Sequence, residues 1–111
     1  MKTLTEFAQE IMDSKNSPHR LAELEILMAG KYAMLSDIAK ELQIEKAIYT
    51  NNVKFANEKP LSDTSVEAKW RIEESGQKEI RMRYEFRALE KLLSACKSSI
   101  YVANNEARNN Y

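Results

Sequence analysis

With 111 residues, 43% of them hydrophobic, the chain has the size of one domain and is too short for a large multi-domain enzyme. Its 17 Lys and Arg are balanced by 17 Asp and Glu, so a general attraction to nucleic acid or an anionic membrane is missing, and such a partner would need a local patch. Two glycines and two prolines are too few for the frequent turns of a β protein, while Ala, Leu, Glu, Lys and Arg are plentiful, and the class is therefore all-α.

Thr3 followed by Glu6 forms a capping-box pattern, and Leu4, Phe7, Ala8, Ile11 and Met12 follow at helical spacing, which predicts a short amphipathic helix over about 4–14. At that length a helix is marginal alone and must dock. Lys15-Asn16-Ser17-Pro18 breaks the pattern, with Ser17 suited to an N-cap and Pro18 to the first helical position. From there Leu21, Leu24, Met28, Leu35, Ile38, Leu42 and Tyr49 keep a three-four spacing, and a long helix is expected over about 18–57. At roughly 1.5 Å per residue it is a rod near 60 Å long. Gly30 is its soft point, open to two readings: a close helix crossing or a surface position.

Turn signals at 58–63, with Pro60, Ser62 and Asp63, reverse the chain, and Thr64 with Glu67 is a second capping-box candidate. Over about 64–108 the residues Ala68, Ile72, Ser75, Glu79, Met82, Phe86, Leu89, Leu93, Cys96, Ile100, Ala103 and Ala107 alternate by three and four as a heptad seam. Ser75-Gly76 could kink or split this helix, and the sequence alone leaves that open. A second row, Trp70, Tyr84, Ala88, Leu92, Ala95 and Val102, makes the apolar face wider than a two-stranded contact requires.

These lengths predict a single all-helical domain over 1–111: a long antiparallel helical hairpin with the short N-terminal helix at one end. Two rods alone bury little, so we expect a homo-oligomer, most simply a dimeric helical bundle, with Met82, Phe86, Leu89, Leu93 and Ile100 at its interface. The alternative is a monomer whose first helix completes a three-helix bundle.

The chemistry is sparse. His19 is the one histidine, and Glu23 beside it is an ordinary i,i+4 neighbour, so a surface role outweighs catalysis. Cys96, the one cysteine, lies on the seam between Leu93 and Ile100 and reads as a small buried hydrophobe; no disulfide within the chain and no Cys-rich zinc site is possible. Glu73-Glu74 and Glu41 with Glu45 lack the histidines of a di-metal bundle, and no glycine-rich phosphate loop exists. We therefore expect no enzyme activity, no cofactor and no metal. No uncharged stretch approaches a membrane span, and Glu6, Glu10 and Asp13 spoil a signal peptide, which predicts a cytoplasmic protein that does not enter a membrane.

Charge is unevenly placed. Residues 1–63 hold eight basic and ten acidic side chains, and 64–111 hold nine and seven. Between Lys78 and Lys97 six basic residues meet three acidic ones, and Arg83, Arg87 and Lys91 lie one turn apart beside Tyr84. Such a stripe suits an acidic protein surface or a phosphate-bearing ligand such as a nucleotide, while the interspersed glutamates disfavour duplex nucleic acid. The competing reading is a solvated helix face with charges paired at i,i+4.

Trp70, Ser75-Gly76-Gln77-Lys78-Glu79, Tyr84, Ala88-Leu89-Glu90-Lys91-Leu92, Ser94, Asn105-Glu106-Ala107-Arg108-Asn109 and Tyr111 together resemble small helical proteins encoded by bacteriophages and prophages. The resemblance covers residues 66–111. It implies an accessory role in the infected cell, binding and blocking a host protein or antiviral defence complex, and transfers no catalytic residue. Two other roles stay open: sequestering a nucleotide signal, and serving as a coiled-coil assembly or virion component.

Overall fold

The computed structural model describes residues 2–56 and 58–109, with side chains through Glu106. The described residues are helical throughout apart from short connections, and contain no strand. In chain order the helices are α1 (Leu4–Asp13), α2 (Pro18–Lys54), α3 (Asp63–Ile72) and α4 (Glu74–Asn109).

Local chemistry sets their ends. The Glu6 backbone N–H donates to Thr3 Oγ1 at 3.2 Å, and the Thr3 hydroxyl donates to the Glu6 carboxylate at 3.2 Å, so Thr3 caps α1. Ser17 accepts from the Arg20 N–H at 3.4 Å, and Pro18 opens α2. The cap of α3 is Ser62, whose Oγ accepts from the Ser65 N–H at 3.2 Å, so the helix starts one residue before Thr64. The helix expected over 64–108, with a kink or split at Ser75-Gly76 left open, is interrupted at Glu73, whose backbone is extended (ψ 151°) and whose N–H bonds the Trp70 carbonyl. That break shifts the helical phase. Val66 and Trp70 become the buried pair of α3, while the seam residue Ile72 is left exposed.

The chain forms two compact units. One combines Met1–Met34 with Glu85–Tyr111. Its core contains Phe7, Ile11, Leu21, Leu24, Met28, Leu89, Cys96 and Ala103. The Cys96 thiol donates to the Leu21 carbonyl at 3.1 Å, and Tyr32 meets Phe86 edge-on with ring centroids 5.0 Å apart while its hydroxyl donates to Glu90. Within this unit, then, the start of α2 faces the later part of α4 and its continuation faces the earlier part, an antiparallel pairing. Glu10 ties α1 down by accepting from Lys2 (2.6 Å) and Arg20 (3.2 Å).

The other unit is the continuous stretch Leu35–Tyr84. Leu42, Val66, Trp70 and Met82 are buried, with the Tyr49 ring 5.2 Å from Trp70. Lys46 donates to Glu67 and Glu79 at 3.2 Å each, joining α2 to α3 and α4, and Gln43 also donates to Glu79. Where α2 ends, the Leu61 N–H bonds the Lys54 carbonyl and the Lys54 ammonium pairs with Asp63 at 2.8 Å.

Candidate binding surfaces

The boundary between the units falls after Tyr84, within α4, so Arg83 and Tyr84 belong to one unit and Arg87 and Lys91 to the other. In the Leu35–Tyr84 unit, Arg83 is exposed and lies 3.6 Å from Glu79, and the Tyr84 ring is open to solvent. In the other unit Arg87 and Lys91 are exposed and make no ion pair among the described residues. Arg83 thus carries the i,i+4 pairing of a solvated face, while the Arg87 and Lys91 side chains stand exposed.

The residues expected at an oligomer interface are largely occupied within the chain. Met82 and Leu89 are buried, each in its own unit. Phe86, Leu93 and Ile100 are part-buried, Phe86 against Tyr32. A second copy could reach the edges of these three but not Leu89, which has no accessible surface.

His19 is almost fully exposed, with its Nε2 3.1 Å from Glu23. Its ring stands in open solvent. Cys96 is the opposite case. Burial, reinforced by the negative charge of Glu25, pushes its thiol above the ordinary range, which holds it protonated and unreactive. Among the described residues no group of three or more His, Cys, Asp or Glu is placed to hold a metal, and no helix is long and apolar enough to cross a membrane.

Periodicity directed attention to the inward seam of α2 and passed over its outward side. In the Leu35–Tyr84 unit, Ile44, Ile48 and Phe55 are each more than half exposed. Ile44 and Ile48, four apart, share one face of α2, and Phe55 follows just past its end. Beside them runs an open groove of about 450 Å³ lined by Gln43, Lys46, Ala47, Thr50, Asn51, Lys54 and Phe55. The lysines in it are engaged, Lys46 with Glu67 and Glu79 and Lys54 with Asp63, so the groove offers an apolar edge and neutral polar groups rather than free positive charge. In the first unit a groove of about 310 Å³ is lined by Lys15, Asn16, Ser98, Ser99, Val102 and Glu106, where one cation faces one carboxylate. Neither groove includes Arg83, Tyr84, Arg87 or Lys91. The missed signal was a second apolar row in α2, out of phase with Leu42 and Tyr49 and readable as surplus hydrophobicity. No protein-family model, curated protein or solved structure matches this chain.

Proposed function

We propose that this chain is a non-enzymatic binding protein, a self-associating antiparallel helical hairpin that occupies and blocks a host protein, antiviral defence complexes included. The observation that carries the binding role is the exposed row Ile44, Ile48 and Phe55 beside its groove. Large apolar side chains aligned on one face of a helix mark the place where a partner's helix lays its own apolar side. Because Lys46 and Lys54 are already neutralised, recognition there rests on apolar contact, with Arg87 and Lys91 as a separate charged contact for an acidic partner surface. The blocking role and the host setting follow from the likeness of residues 66–111 to phage accessory proteins, and the cytoplasm is where such a protein would act.

The test is affinity capture from bacterial host lysate with three baits: the unaltered chain, Ile48→Asp, and the double variant Arg87→Glu with Lys91→Glu. The unaltered bait retains one stoichiometric protein, and Ile48→Asp loses it. Loss with the charge-reversed bait alone moves the contact to α4. Failure of the unaltered bait to retain any stoichiometric protein overturns the proposal.

A further inference from the structure

We infer that α3 has two seats against α2: the bent one, in which Val66 and Trp70 face inward, and a straight one, in which α3 and α4 run as one helix and Ala68 and Ile72 take the inward places. Every residue involved lies in the Leu35–Tyr84 unit. The spacing of Ala68, Ile72, Ser75, Glu79 and Met82 runs by threes and fours straight across the break at Glu73. Only its later members use it: Glu79 and Met82 are buried and Ser75 is half-buried, while Ala68 is exposed and Ile72 is 76% exposed. The segment therefore carries two apolar faces, and α2 offers it one wall.

Both faces claim the same place on that wall. α2 and α4 pair in antiparallel register here, with Gln43 donating to Glu79 at 3.1 Å and Ser75 donating to Glu45 at 2.6 Å. One turn onward from Glu45 along α2 is Tyr49, and one turn back from Ser75 along a continuous helix is Ile72. Tyr49 is the residue whose ring stands 5.2 Å from that of Trp70 in the bent seat.

The bent seat gains the burial of Val66 and Trp70 and the ion pairs of Lys46 with Glu67 and of Lys54 with Asp63. It also carries costs that the straight seat lacks. The indole Nε1 of Trp70 is buried and makes no hydrogen bond among the described residues. The N–H groups that open α4 lose the carbonyls a continuous helix would give them. The Ile72 carbonyl, which such a helix would pair with the Gly76 N–H, accepts instead from the Gln77 side-chain amide at 3.4 Å. Gly76 admits the bend, because a Cβ there would meet the Trp70 backbone, whereas a continuous helix has no use for a glycine at that position. Straightening carries Trp70 from the interior to the surface without unfolding the chain, so a partner that binds the indole holds α3 straight.

Two variants, each closing one seat, test this exchange, and Trp70, the one tryptophan, reports its own position. Gly76→Ala closes the bent seat. It should keep full helicity, shift the Trp70 emission to the red, and slow hydrogen exchange at the amides of positions 74–76 by about tenfold or more, since those N–H groups then have helical acceptors. The stability it loses is the difference between the seats. Ile72→Lys closes the straight seat and keeps the fold, because Ile72 is exposed in the bent one. In that variant the Trp70 indole N–H should exchange about tenfold more slowly than in the unaltered chain, because straightening is the route by which it reaches water. Lost helicity or unchanged emission in Gly76→Ala, or an indole exchange rate that Ile72→Lys leaves unchanged or raises, would overturn the inference.

Discussion

Gly76 packs directly on the backbone of Trp70: a Cβ added to it would sit 2.6 Å from the Trp70 carbonyl carbon and closer still to its oxygen. Its φ is negative, so the glycine is present for room and not for a left-handed turn. This approach lets α4 restart immediately after the break at Glu73. Gly76→Ala must push backbone against backbone, and we expect a loss of at least about 3 kcal/mol in urea unfolding, the upper end of overpacking penalties, despite the better helix propensity of alanine.

Gly30 gives the opposite result. With open space around its Cα, Gly30→Ala should stabilise the chain by about 1 kcal/mol through helix propensity alone. Thermal unfolding of the two proteins checks this.

Lys46 is the cation between Glu67 and the nearly buried Glu79. Removing it leaves the Glu79 carboxylate with Gln43 and with the exposed Arg83 guanidinium at 3.6 Å. Lys46→Met should therefore cost about 3 kcal/mol, and adding Glu79→Leu should restore most of it, because an apolar pair of similar volume replaces a buried ion pair with little loss. A urea double-mutant cycle measures both steps.

Acid should loosen the hold on α1. The hydrogen bond from Lys2 lowers the Glu10 carboxyl below its ordinary range against the opposing effect of burial, with Arg20 adding to the attraction. Lys54 does the same for Asp63. A depressed folded-state value gives stability that is present above the unfolded carboxyl value, about 4.3 for glutamate, and is lost as pH falls through the folded value. The melting temperatures of the unaltered chain and Lys2→Met should therefore differ at pH 7 and converge toward pH 2. Curves that stay parallel across that range would show that this ion pair does not contribute.

Cys96 should resist Ellman's reagent. Its thiol is buried, bonded to the Leu21 carbonyl and held protonated, so at pH 8 it should react roughly a hundredfold more slowly than in denaturant, at a rate set by opening of the Met1–Met34 and Glu85–Tyr111 unit.

Helix content, the caps at Thr3 and Ser17, and the burial of Cys96 were legible because each depends on neighbours within a turn or two. The interruption of the last helix was legible only as an open question at Ser75-Gly76: the break falls at Glu73, two residues earlier, and the approach of Gly76 to the Trp70 backbone beside it is a contact that hydrophobic spacing does not encode. Trp70 therefore looked like a secondary row of α4 when it is the largest buried side chain of its unit. The exposed pair Ile44 and Ile48 was less legible for a related reason: it does not continue the stripe of Leu21, Leu24 and Leu42 and is out of phase with the buried seam.

The two units differ in when their residues become available. Leu35–Tyr84 is one uninterrupted segment, whereas the other unit joins the first residues to the last. On the ribosome the middle segment is complete while Leu21 still waits for Cys96 to be translated. A transcript cut short after residue 84 would leave Phe7, Leu24 and Met28 without their opposite wall, and such a fragment is prime material for proteolysis.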